Sequence, residues 1–121
     1  MTTISCPDVA RTANRLSEFL TNPSPDHQHA VDWAISYLYG TRYYAIEYSP
    51  TVDDQLAFIC ASDAAFADDK DTRRSTEGYL LKLFGGPVDW RSTKQKTVTT
   101  SSTEAELLAI SHAAKEVIWW Q

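Results

Sequence analysis

From Pro7 to Leu20 the apolar residues Val9, Ala13, Leu16 and Leu20 recur at helical spacing with Phe19 beside them, which predicts an amphipathic helix stopped by Asn22 and Pro23. Ser24 then stands as an N-cap, with Pro25 at the first helical position and Asp26 in the first turn, where the positive helix end favours a carboxylate. The second helix predicted there carries Ala30, Ala34, Tyr37 and Leu38 on one stripe. Gly40 sits where a left-handed residue would close its last turn. Residues 1–42 therefore read as a helical hairpin.

After Thr41 the period shifts to alternation, in short runs of β-branched and aromatic residues punctuated by turn residues. Strands are expected at Tyr43 to Tyr48, Gln55 to Ala61, Gly78 to Phe84, Val88 to Arg91 and Thr97 to Thr100, with Gly85, Gly86 and Pro87 turning the chain between the third and fourth. The connections are too short for crossover helices, so antiparallel pairing is expected. From Thr103 onward Leu107, Ile110, Ala114, Val117 and Ile118 restore a helical stripe, predicting a last helix packed across the sheet. The class is α+β: a helical hairpin over 1–42, then a mostly antiparallel sheet and a C-terminal helix over 43–121.

With 121 residues the chain has the size of one ordinary domain, which argues against a separate cofactor domain. Sixteen acidic against eleven basic side chains give a net charge of -5, unlike a general nucleic-acid coat protein. The balance reverses locally. Between Thr72 and Thr103, Arg73, Arg74, Lys82, Arg91, Lys94 and Lys96 face only Glu77 and Asp89, while Asp63, Asp68, Asp69 and Asp71 cluster just before. A solvated surface strip and a phosphate-binding strip both fit this pattern. Cys6 and Cys60 are too few for a disulfide framework or a four-thiolate zinc site and read as reduced thiols. The first twenty residues hold no apolar core of a secretory signal, and no run approaches the roughly 18 apolar residues of a membrane span. A soluble intracellular protein, cytoplasmic or nuclear, is expected.

Two carboxylates stand out. Asp63 follows the most apolar strand, at a place from which it can reach a metal or simply cap a turn through its own backbone. At the start of the last helix, Ser101-Ser102-Thr103-Glu104-Ala105-Glu106 contains two competing capping boxes. If Thr103 is the cap, Glu106 is its reciprocal partner and Glu104 is free to act as a ligand; if Ser101 is the cap, Glu104 has the structural role.

The stretches Ser62 to Asp69, Asp71 to Tyr79, Trp90 to Val98 and Ser101 to Glu106, in this order and spacing, resemble the ribonuclease H domain of copia-type retrotransposon polyproteins. Asn14-Arg15-Leu16-Ser17, Phe19-Leu20, Asn22-Pro23, His27, Tyr37-Leu38 and Gly40-Thr41 resemble the reverse transcriptase tail that precedes it. The resemblance implies a partial ribonuclease H-like sheet in which Asp63 matches the first catalytic aspartate and Glu104 the catalytic glutamate. Such sites hold two divalent ions, about 4 Å apart, within a cluster of carboxylates. The family's third aspartate lies on a strand after the helix and a further acidic group beyond it, while the sequence ends at Gln121. Magnesium binding is therefore expected only if the cluster is completed. Ala65 and Phe66 replace the family's usual acidic residue and tryptophan, and Asp32, Trp33, Ser36 and Tyr39 stand where its hairpin helix is usually basic. Weak contact with an RNA/DNA hybrid is expected, through Arg73, Arg74, Arg91, Lys94 and Lys96.

Without the family's later parallel strands, Gln55 to Ala61 becomes an apolar sheet edge. That edge, with Trp119 and Trp120 at the terminus and Trp33 and Tyr39 on the hairpin, points to a homodimer or higher oligomer. The expected function is a retroelement-derived, self-associating interaction or structural module that is catalytically inactive alone. A fragment that cleaves the RNA of RNA/DNA hybrids when completed, and a nucleic-acid binder without catalysis, are the alternatives.

Overall fold

The computed structural model describes residues 5–49 and 57–120, in two compact units that divide between Ile46 and Glu47.

The first unit is a helical hairpin. A 3-10 turn at Pro7–Val9 leads into α1, Ala10–Ser17, which ends earlier than the apolar pattern suggests; Glu18 to Asn22 continue only as turns. Leu20, expected on the buried stripe, is exposed for that reason. Helix α2 spans Pro25–Gly40. Its cap is the expected Ser24: the Ser24 side chain accepts from the His27 amide, and His27 Nδ1 accepts from the Ser24 amide at 3.0 Å, so a histidine completes the capping box. The His27 ring then stacks on Phe19 with centroids 3.8 Å apart. Gly40 is itself helical and Thr41 caps the end with ordinary negative φ, so no left-handed glycine is needed there. The Tyr37 hydroxyl donates to Asp8 Oδ2 at 2.6 Å, which ties α2 to the 3-10 turn and raises the phenol pKa.

The second unit holds an antiparallel sheet in the order β1-β2-β3, with β1 at Phe58–Ala65, β2 at Thr76–Leu83 and β3 at Gly86–Lys94. Helix α3, Ser102–Trp120, packs on it. The α+β class and antiparallel pairing are as the alternation predicts, but two expected strands are absent. Residues 44–49 are irregular and Gln95 to Thr100 form bends and coil. Gln55 and Leu56, at the start of the expected second strand, lie outside the described residues. The turn is also displaced by one residue: Phe84 and Gly85 form it, both with positive φ as a tight two-residue hairpin requires, while Gly86 and Pro87 already belong to β3. Val88 is the extra residue where the ladder shifts beside Pro87.

Residues 44–49 end as a clamp on that hairpin instead of a strand. The Ser49 amide donates to the Phe84 carbonyl at 2.9 Å and the Tyr48 hydroxyl to the Pro87 carbonyl at 2.9 Å. The Tyr48 ring lies so close to Gly86 that a Cβ there would come within 2.6 Å of it and 2.8 Å of the Glu47 carbonyl.

Partners across a ladder share a face. Ser62, Tyr79 and Arg91 lie on one face and Ala61, Leu80 and Trp90 on the other. Helix α3 covers the first: His112 reaches Glu77, and Leu81 beneath is fully buried. Contact is made by Ala105, Ala109 and Ala113, small residues one turn apart that let the helix approach closely. The expected stripe is thereby corrected. Leu107 (62% exposed), Ile110 (53%) and Ile118 (70%) face outward, because the fit to the sheet selects size over hydrophobicity.

Gly86→Ala should destabilise the second unit by about 1–3 kcal/mol through overpacking. Gly40→Ala, whose Cβ meets nothing within 4 Å, should be neutral or stabilise by up to about 1 kcal/mol; urea unfolding of the two variants checks both values.

Candidate functional site

Asp63 lies inside β1, two residues before its end, and not beyond a strand as the alternation suggests. It pairs with Gly78, is exposed, and projects from the face that α3 leaves uncovered. Glu104 is engaged elsewhere. Ser101 is the helix cap: its hydroxyl accepts from the Glu104 amide at 3.1 Å, and Glu104 Oε2 accepts from the Thr100 amide at 2.6 Å and the Thr100 hydroxyl at 2.9 Å. These bonds hold the Glu104 carboxyl below its usual pKa. The two capping alternatives thus resolve in favour of Ser101, and Glu106, half-buried in the first turn, is the acidic residue outside the cap. Among the described residues no three His, Cys, Asp or Glu side chains converge as a metal site.

The segments that carry the family resemblance instead build a polar scaffold. Asp69, buried in the β1–β2 loop, accepts from the Thr72 hydroxyl, from the Asp71 amide and from Lys94 Nζ at 2.7 Å. The hydrogen bond from Lys94, followed by that from Thr72, holds its carboxyl well below the carboxylate range against the opposing effect of burial. Lys94 is therefore paired with this loop through Asp69. Ser75 accepts from the Ala67 amide at 3.1 Å and its hydroxyl meets that of Thr99 at 3.0 Å. The Gln95 amide donates to the Ser75 carbonyl, while Gln95 Nε2 donates to the Ala105 carbonyl at 2.9 Å and to Glu77 Oε2 at 3.1 Å. Glu77 Oε1 completes the chain against His112 Nδ1 at 2.7 Å.

Of the other expected phosphate contacts, Arg73 and Arg74 are exposed on the β1–β2 loop, with Arg73 in the left-handed region. Arg91 and Lys96 lie apart from them, on a cavity of about 410 Å³ between β2–β3 and α3. Lys115 and His112 reach the same cavity from the helix. On its floor the Tyr79 hydroxyl donates to Asp89, and burial, then the Asp89 charge, raises the phenol pKa so that it stays protonated. Lys115, His112 and the structural Gln95 escape a reading based on charge runs. The alternation Arg91, Thr93, Gln95 was the available signal, since it puts Gln95 on the helix-facing side.

The chain is 43% identical over 116 residues to the secreted RxLR effector protein 161 of Plasmopara viticola, covering 96% of this chain and 80% of that protein. It is 38% identical over 113 residues to the retrovirus-related Pol polyprotein from transposon TNT 1-94 of Nicotiana tabacum, covering 93% of this chain. A putative transposon Ty5-1 protein of Saccharomyces cerevisiae is 35% identical over 112 residues, 92% of this chain and 36% of that one. No family model and no solved structure matches. Transposon Pol proteins thus match this α+β chain over more than nine-tenths of its length. The chain belongs to the family of copia-type retrotransposon polyproteins, as a fragment spanning 8% of the Nicotiana tabacum polyprotein.

Gln95→Leu should destabilise the second unit by about 2–3 kcal/mol, because the Ala105 carbonyl and a Glu77 oxygen lose their donor; chemical unfolding measures it. Asp69 has a folded pKa below its unfolded value of about 3.9, so its contribution is complete above that pH and fades as pH falls through the folded value. The thermal midpoint of the wild type should therefore drop more steeply below about pH 4 than that of Lys94→Met, a comparison made by circular dichroism.

Proposed function

We propose that the chain is a Pol-derived scaffold that works by associating with a second copy of itself and does not cleave nucleic acid on its own. The observation that carries this reading is a pair of apolar surfaces. Among the described residues β1 is a sheet edge with Phe58 (38% exposed) and Ile59 (36%) at the surface, and α3, which packs on β1, turns Leu107, Ile110 and Ile118 outward. Phe58–Ala65 contains no proline and no lysine, and Asp63 is its one charge. An antiparallel strand edge is complementary to itself across a twofold axis, so a second copy meets both its hydrogen bonds and its apolar side chains. Trp119 and Trp120, packed edge to face at 5.7 Å, extend the aromatic surface at the end of the helix.

A second reading, a ribonuclease H-like fragment, rests on Asp63, exposed on β1, and on Glu104 at the start of α3. Magnesium would then be held by these two carboxylates only if Glu104 left its bonds to Thr100, and only after further carboxylates arrived from another segment. In that arrangement the ion would activate the water that attacks a phosphodiester of the RNA strand. Arg73 and Arg74 would supply weak, salt-sensitive contacts to the hybrid.

Light scattering behind size exclusion should find a dimer, and Ile59→Lys or Leu107→Lys should convert it to a folded monomer. A wild-type chain that stays monomeric at high concentration overturns the assembly. Magnesium-dependent cleavage of an RNA/DNA hybrid by the purified chain, lost in Asp63→Asn, establishes the second reading instead.

A further inference from the structure

The cavity over β2 and β3 collects an unusual share of the positive charge. Of eleven basic side chains in a chain of net charge -5, four line it: Arg91, Lys94, Lys96 and Lys115. Lys94 is neutralised by Asp69, and Glu77 is occupied by His112 and Gln95, which leaves Arg91, Lys96 and Lys115 against Glu116. These three come from different elements: Arg91 from β3, Lys96 from the bend after it and Lys115 from α3. Their charges therefore surround a volume instead of forming a strip. Arg91, Lys96 and Lys115 are all exposed at its rim, so none is needed for packing. The floor is Tyr79 with the apolar Leu108 and Ala109, and the volume of about 410 Å³, open on one side, falls within the range of small-molecule pockets.

We propose that this cavity binds a phosphate-bearing small molecule of mononucleotide size. The phosphates sit among Arg91, Lys96 and Lys115, where charge-assisted hydrogen bonds act at the edge of a partly desolvated space. The Thr93 and Thr97 side chains line the same wall and offer neutral donors. His112, its Nδ1 hydrogen-bonded to Glu77, lines the same wall. The planar part of the ligand lies over Leu108 and Ala109. A free phosphate ester and the terminal phosphate of a nucleic-acid strand share this chemistry, and the bounded volume favours the free ester.

Calorimetric titration of the full chain with ADP, inorganic pyrophosphate, adenosine and a short single-stranded DNA carrying a 5′ phosphate tests the assignment. ADP and pyrophosphate should bind saturably at one site, adenosine much more weakly, and Lys96→Gln and Lys115→Gln should each weaken ADP about tenfold, the loss of one charge-assisted hydrogen bond. Lys70→Gln, at an exposed lysine away from the cavity, should leave affinity unchanged. Equal affinity in all three variants, no saturable binding of ADP and pyrophosphate, or oligonucleotide binding tighter than ADP overturns the proposal. Thermal midpoints of the ligand-free variants confirm that the fold is intact. Binding is read apart from oligomeric state, so failure here leaves the assembly reading standing.

Discussion

The second unit depends on one buried amide. Gln95 is buried, and its backbone and side chain reach Ser75 on the way into β2, Glu77 within β2 and the Ala105 carbonyl in the first turn of α3. A small domain with few large buried side chains lacks the apolar area to fix its helix by hydrophobic burial alone. Directional bonds in a low-dielectric interior supply the missing specificity, and they are expensive to leave unmade. Gln95 Oε1 has no partner among the described residues, so the same side chain that organises the unit carries one unmet acceptor. The Ser75–Thr99 hydroxyl pair and the Asp69 loop extend this network to the end of the sheet where α3 starts.

The alanine face of α3 follows from that arrangement. Once Gln95 and Glu77 hold the helix near the sheet, only small residues fit between, and Ala105, Ala109 and Ala113 occupy the contact. The large apolar side chains are displaced to the opposite face of the helix. The close approach that secures the helix is thus what turns its apolar stripe outward.

Much of the fold is legible in the sequence where one residue sets one local geometry. Ser24-Pro25-Asp26 marks the start of α2, and alternation finds the strand cores. Legibility fails where tertiary bonds override the local pattern. The aromatic run at residues 43–48 reads as a strand, but its end serves as a clamp on the hairpin through Tyr48 and Ser49. The Leu107 stripe reads as core because periodicity reports which residues are apolar, not which face a neighbour allows to come close. At the candidate site, spacing narrows the helix-start glutamates to two and stops there; hydrogen bonds from Thr100 decide that Glu104 belongs to the cap. Lys94 is the same lesson in charge: a run of basic residues does not disclose that one of them faces inward to a buried aspartate.

Asp63 supports none of this architecture. It is exposed, on a strand whose ladder is made by backbone, opposite a glycine. The shape of the second unit is thus carried by positions such as Ser75, Gly86 and Gln95, and Asp63 can be exchanged without the domain passing through an unfolded form.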